Sequence, residues 1–255
     1  MMNIPTPCIF AHRGASASAP ENTMSAFELA FTQGAHAIEL DAKLSSDGEI
    51  VVIHDQTLNR TTTGTGYVHK TSYAILRSLD AGSWFSKSYA NERIPLLSDV
   101  LDSFGKKMII NIEVTNYRTW WDDLPQKIAV LVRQFNILDS VIFSSFYPTS
   151  LWKIRRLIPG AATALLTGRN GFAFSTVSGL AKYISPRIQH PHQSALSFEN
   201  VQHARQKGIR LHTWTVNEEA DMRRLLKWGV DGLFTDHPAT ALTLIESIGE
   251  VPGVV

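Results

Sequence analysis

The chain has 255 residues, with 24 Lys+Arg against 23 Asp+Glu, a formal net charge of +1 and 44% hydrophobic residues. This ordinary globular composition excludes a disordered or collagen-like chain, and the near-neutral balance removes any broad electrostatic case for nucleic acid or an anionic membrane as partner. The single cysteine, Cys8, excludes an internal disulfide and a cysteine-based zinc or iron–sulfur site. No apolar run approaches the ~20 residues that span a bilayer. The first twelve residues hold no Lys or Arg and no long apolar run, which predicts no signal peptide. The expectation is a cytoplasmic protein with no integral membrane segment.

In chain order, short β-branched or apolar runs alternate with longer amphipathic ones, the pattern of an α/β protein. Eight strands are predicted: Cys8–Ala11, Ala37–Ala42, Met108–Val114, Ser140–Ser145, Ala162–Leu166, Arg187–Gln189, Ile209–Thr215 and Gly232–Thr235. The clearest helices are Met24–Gln33, Pro125–Phe135, Pro148–Leu157, Phe198–Lys207 and Glu218–Trp228. Asn22-Thr23 reads as the cap of the first, and Gly34, Gly208 and Gly229 end helices. One stretch breaks the rhythm. After Asp41 a Ser46-Asp47-Gly48 turn leads into the arm Glu49–His54, and Thr- and Gly-rich sequence follows. Residues from about Asp55 to Pro95 read as an insertion, with a helix near Asp99–Phe104 resuming the alternation. Eight βα units with one insertion predict a single (β/α)8 TIM-barrel domain over residues 1–255. The rival, a doubly wound sheet, lacks its G-x-G-x-x-G signature in the first turn.

Barrel chemistry sits at the C-terminal ends of the strands. The first strand ends in His12-Arg13-Gly14, a proton-transfer group beside a fixed cation; alone, the triplet fits a structural or surface histidine as well. The second strand ends in Glu39-Leu40-Asp41, and a period of two puts both carboxylates on one face. They repel unless a cation or basic groups lie between them, so an ion-paired structural role also fits. The third strand adds Glu113, flanked by Ile112 and Val114 and hard to bury without a partner. Three carboxylates without cysteine describe an oxygen-rich site for a hard divalent cation, Mg²⁺ or Ca²⁺. His54, ending the arm after Asp41, returns a second imidazole to the same rim.

The segments HRGASASAPENT (His12–Thr23), IELDAKLSSDGEIVVIHD (Ile38–Asp55), NIEV (Asn111–Val114), HTWTVN (His212–Asn217) and VDGLFTDHP (Val230–Pro238) closely resemble the glycerophosphodiester phosphodiesterase family, over nearly the whole chain. The resemblance implies a TIM barrel with a small insertion after the second strand. It also implies His12 and His54 as general acid and base, Arg13 as phosphate-binding, and Glu39, Asp41 and Glu113 as metal ligands. Trp214 falls on a tryptophan that packs beside substrate, with a core aromatic as the lesser alternative. The implied reaction is metal-dependent cleavage of a small glycerophosphodiester to sn-glycerol 3-phosphate and an alcohol. In it the glycerol 2-hydroxyl attacks phosphorus and water then opens the cyclic phosphate.

The chain departs from the family pattern once, at Thr115, where relatives commonly carry a phosphate-contacting lysine. A threonine brings no charge. Arg118 is the nearest candidate replacement, with a solvated loop position as the alternative. His190 and His192 fall near the end of the sixth strand, where they can share a face, and read as a loop or substrate rim rather than a zinc pair. Trp120-Trp121 reads as a lid or interface patch or as ordinary packing, and Arg155-Arg156 and Arg223-Arg224 as solvated helix faces. Glu21 is positioned to orient His12 or Arg13, and Cys8 reads as a small core residue. Rival functions are a lysophospholipase D-like or other barrel phospholipase, for which Trp84-Phe85 offers an apolar rim, and a non-catalytic barrel binding module. The second has no need for two imidazoles beside a metal.

Overall fold

The computed structural model describes residues 3–119, 121–169, 183–185 and 187–249. Eight parallel strands close on themselves: β1 (Cys8–Ala11), β2 (Ala37–Leu44), β4 (Ile109–Val114), β5 (Val141–Ser145), β6 (Ala162–Thr167), β7 (Ile188–Pro191), β8 (Arg210–Thr213) and β9 (Gly232–Thr235). β1 pairs with both β9 and β2, which seals the barrel, and β3 (Ile50–Val52) adds antiparallel to β2 as a hairpin arm. The strand and helix limits agree with the sequence reading to within about two residues, and the barrel is the expected fold class.

The period of two decides what each strand offers to either side. On β2, Ile38, Leu40 and Ala42 join Ile110, Ile112 and Val114 of β4 in the apolar layer under the helices. The alternate residues face inward, where Cys8, Phe10, Ala37, Ile109, Ile142, Ala164, Ile188 and Phe234 pack together. Cys8 is thus core, as expected. Continuing along the strands, the inward register reads Glu39 beside Asn111 and then Asp41 beside Glu113. The apolar plug therefore gives way to charge toward the C-terminal ends.

Two local details set the mouth. Gly14 has φ +85°, and a Cβ there would lie 2.6 Å from the Ala26 carbonyl carbon, so the turn after β1 packs on the first helix only with glycine. Thr23 caps that helix, its hydroxyl accepting from Ala26 N at 3.3 Å. The expectation that Asn22 shares the capping is corrected. It sits at φ +58°, and its amide donates to Asp41 Oδ2 at 2.9 Å. Between β3 and the helix Leu97–Phe104, short helical turns pack on Val51, Ile53, Leu58, Val68, Leu76, Ala81 and Ile94, a small core separate from the barrel's.

Candidate active site

A cavity of about 440 Å³ opens at the C-terminal ends of the strands, lined by His12, Arg13, Glu39, His54, Glu113 and Trp214 among others. Asp41 is buried directly beside it, and ligand oxygens of Glu39, Asp41 and Glu113 all lie within 4.8 Å of one another. The structure therefore brings together all seven residues expected from the sequence.

The carboxylate trio is electrostatically strained. Burial, then repulsion from Asp41 and Glu113, pushes Glu39 well above the usual carboxylate range. Burial and Asp41 together push Glu113 up to about 7. Asp41 stays low despite its burial because Arg13, His54 and Lys43 surround it and Asn22 donates to it. Tyr117 holds Glu113 in place, its hydroxyl donating to Oε1 at 2.6 Å. This donor set is oxygen-only and carries more negative charge than its neighbours offset, which fits a hard divalent cation.

The left-handed turn at Arg13, φ 57°, lets one residue serve the site twice. Its backbone N–H donates to Glu39 Oε2 at 2.9 Å, while the guanidinium donates to Glu21 at 3.0 Å and lies 3.5 Å from Asp41. Burial disfavours its charge, but Asp41, Glu21 and Glu39 more than restore it. Glu21 thus orients Arg13, as one of the two roles expected for it.

Each histidine is held at Nδ1 by a carboxylate. His12 meets Asp236 Oδ1 at 2.7 Å, and His54 meets Asp55 Oδ1 at 2.7 Å. With Nδ1 engaged, Nε2 is the nitrogen left for chemistry. Asp236 is in turn fixed by Ser16 and Asn217 and held down at about 2, its burial outweighed by His12. Arg60, from the segment after β3, donates two bonds to Asp55 at 2.8 and 2.9 Å and two to Glu21 at 2.7 and 2.8 Å. One guanidinium so ties the support of His54 to the support of Arg13.

Asp236, Arg60, Asn22, Lys43 and Tyr117 were not anticipated as site residues. Asp236 stands directly after the last strand, the position where a barrel side chain reaches the mouth. Tyr117 and Arg60 lie in loops, with no periodicity to mark them.

The opposite chemistry lines the rest of the cavity. Trp214, just past β8, donates from Nε1 to the His190 carbonyl at 2.7 Å and meets Phe146 edge-to-face at 5.5 Å. His192 is buried and packs edge-on against Trp214 at 4.9 Å, outside the cavity lining. His190 instead points into the barrel, its Nε2 3.2 Å from His212 Nδ1. The acidic trio is the only cluster of three or more metal-capable side chains among the described residues. Arg118, the candidate replacement for the lysine absent at position 115, lies over the Tyr67 ring at 5.3 Å and is not part of the cavity lining. Trp84 and Phe85 pack on each other outside the cavity lining, Trp121 is exposed, and Trp120 lies outside the described residues.

Fold and site together define a (β/α)8-barrel enzyme whose charged mouth suits an anionic substrate. Residues 12–240 match the model of the glycerophosphoryl diester phosphodiesterase family, and the chain belongs to that family of phosphoric diester hydrolases. It is 36% identical over 244 residues to a glycerophosphodiester phosphodiesterase of Caldanaerobacter subterraneus subsp. tengcongensis, covering 94% of this chain and 98% of the relative. A glycerophosphodiester phosphodiesterase of Bacillus subtilis is 37% identical, covering 89% and 83%. Among solved structures, an Oleispira antarctica phosphodiesterase in complex with the product sn-glycerol-3-phosphate superposes with a TM-score of 0.85 at 31% identity, covering 94% and 97%. A glycerophosphodiester phosphodiesterase of Agrobacterium tumefaciens gives 0.79 at 27%, covering 92% and 99%. Among the described residues, no helix is long and apolar enough to cross a membrane.

Proposed function

We propose that this chain hydrolyses small glycerophosphodiesters to sn-glycerol 3-phosphate and an alcohol, with a divalent cation, Mg²⁺ or Ca²⁺, held by Glu39, Asp41 and Glu113. The observation that carries the reading is the pairing of two carboxylate-anchored imidazoles, His12 and His54, with Arg13 around one cavity. The bound cation would neutralise the acidic trio and polarise the phosphoryl group.

Arg13 supplies the fixed positive charge for the phosphoryl oxygens as negative charge grows on them. His54 takes the proton of the glycerol 2-hydroxyl at Nε2 as that oxygen bonds to phosphorus. His12 protonates the departing alcohol oxygen as its bond to phosphorus breaks. Water then opens the cyclic phosphate with the two histidines in reversed roles. Asp55 and Asp236 stabilise the imidazolium formed on each side and keep Nε2 facing the reaction. Trp214 and Phe146 give the alcohol an apolar wall.

The test is release of sn-glycerol 3-phosphate from glycerophosphocholine with added Mg²⁺ or Ca²⁺, and its loss in excess EDTA. Undiminished turnover in EDTA sinks the metal assignment. Faster cleavage of lysophosphatidylcholine, with release of lysophosphatidic acid, would move the substrate class to lipids. A substrate lacking the glycerol 2-hydroxyl is expected to bind without turnover, because the oriented intramolecular attack is then lost.

A further inference from the structure

Lys43 is a buried cation that the reading above does not use. The register that sets Asp41 beside Glu113 and Ala42 beside Val114 puts Lys43 next to Thr115, one row nearer the mouth on the same inward face. Both residues are buried, and Lys43 is only 4% exposed. Its Nζ donates to Thr115 Oγ1 at 2.6 Å. That hydroxyl spends its single proton on the Ala42 carbonyl at 2.8 Å, so Thr115 has no donor left for the cavity it lines.

An ammonium carries three N–H donors, and a buried one left partly unpaired is costly. Among the described residues Thr115 is the one hydrogen-bond partner of Nζ, and no carboxylate comes within 4.0 Å of it. Burial pushes Lys43 down to about 8, and Asp41, Glu113 and Asp55 raise it only from farther away. Two N–H donors of a buried cation thus stand directly behind Thr115, which lines the cavity, with no acceptor among the described residues.

We propose that Lys43 is a phosphate-binding residue of this enzyme, receiving a phosphoryl oxygen of the diester and of the sn-glycerol 3-phosphate product beside Thr115. It rests on the substrate class proposed above. The pairing also explains why position 115 tolerates a neutral residue. The cation stands on the neighbouring strand at the same height, and a second lysine at 115 would set like charges side by side.

The experiment measures sn-glycerol 3-phosphate binding by calorimetry on the full chain with Mg²⁺ present, and Mg²⁺ binding separately. Lys43→Met keeps the apolar stem and removes the charge. It is expected to weaken product binding on the order of 10- to 100-fold, the range for a hydrogen bond to a charged group. Mg²⁺ affinity should fall by less. Lys43→Met combined with Thr115→Lys moves the cation across to β4 and should restore product affinity to the wild-type order, whereas Thr115→Lys alone should gain little. Wild-type product affinity in Lys43→Met overturns the proposal. So does a loss that the double variant fails to restore while Mg²⁺ affinity falls in parallel, since Lys43 would then only support the acidic trio. If the methionine variant does not fold, Lys43→Gln carries the same comparison. Failure of the wild-type chain to bind the product or cleave glycerophosphocholine is a different result, and sinks the substrate class itself.

Discussion

Two buried polar clusters share the barrel interior and meet the cost of burial in opposite ways. Glu39, Asp41 and Glu113 on β2 and β4 are flanked by Arg13 and Lys43 and take hydrogen bonds from Asn22 and Tyr117. Among the described residues, the side chains of His190 and His212 on β7 and β8 meet each other and the rings of Phe10 and Phe234. Among the described residues, their outer nitrogens, His190 Nδ1 and His212 Nε2, have no partner. Burial pushes His190 down to about 3 and His212 well below its ordinary value, so the pair stays neutral at pH 7. In the acidic trio Arg13, His54 and Lys43 hold Asp41 low despite its burial, while burial and mutual repulsion push Glu39 and Glu113 up, so all three carboxylates, within 4.8 Å of one another, ionise fully only with a further cation. Burial alone makes a polar group neutral. Burial beside fixed cations keeps one carboxylate, Asp41, ionised, and its two raised neighbours create the demand for a metal.

The largest expected contrast is between the two kinds of histidine. His12→Ala and His54→Ala should each lower kcat by ~10²–10⁴-fold in a fold verified by circular dichroism. The double variant His190→Leu with His212→Leu should leave kcat within a few-fold, since neither ring lines the cavity. Near-wild-type turnover in either of the first two variants removes that histidine from the mechanism. A hundredfold loss in the leucine pair would erase the distinction between the clusters.

A smaller effect sharpens the acidic side. Tyr117→Phe deletes the hydroxyl that fixes Glu113 and should weaken Mg²⁺ or Ca²⁺ binding ~10–100-fold, the usual consequence of losing a residue that orients a metal ligand. Calorimetric titration reads this directly, and an unchanged affinity would mean that Glu113 holds its position without Tyr117.

The smallest effect concerns stability against pH. His190 has a folded pKa of about 3 against roughly 6.5 in the unfolded chain, so below pH 6.5 the unfolded state binds more protons. Stability must therefore fall as the pH drops through 6.5, by up to ~1.4 kcal/mol per pH unit for each such histidine. Urea unfolding at pH 7.5 and 5.5 should show a smaller acid loss in the leucine pair than in wild type. The difference between the two proteins isolates the histidines from the carboxylates that titrate in the same window. Equal acid losses would show that the pair does not bury neutral.

What the sequence determined by itself is everything carried by local periodicity. Alternation of inward and outward residues put Glu39 with Asp41 on one face, and strand ends placed His12, Glu113 and Trp214 at the mouth. Turn and cap chemistry set the element limits, because backbone conformation and amphipathic spacing act over a few residues. Only the tertiary structure decided the partners. Asp236 reaches His12 across 224 residues of chain because β9 closes against β1. Arg60 joins Glu21 to Asp55 because the segment after β3 folds back over the mouth. Asn22, which looks like a helix cap, turns to Asp41, since a buried carboxylate binds a donor more strongly than a helix end that Thr23 already satisfies. Position 115 shows the limit most plainly. Read along one strand, Thr115 is a missing charge; across the β2–β4 register, Lys43 stands beside it. Charge in a barrel mouth is shared between strands, and which strands are neighbours is a property of closure that no local pattern encodes.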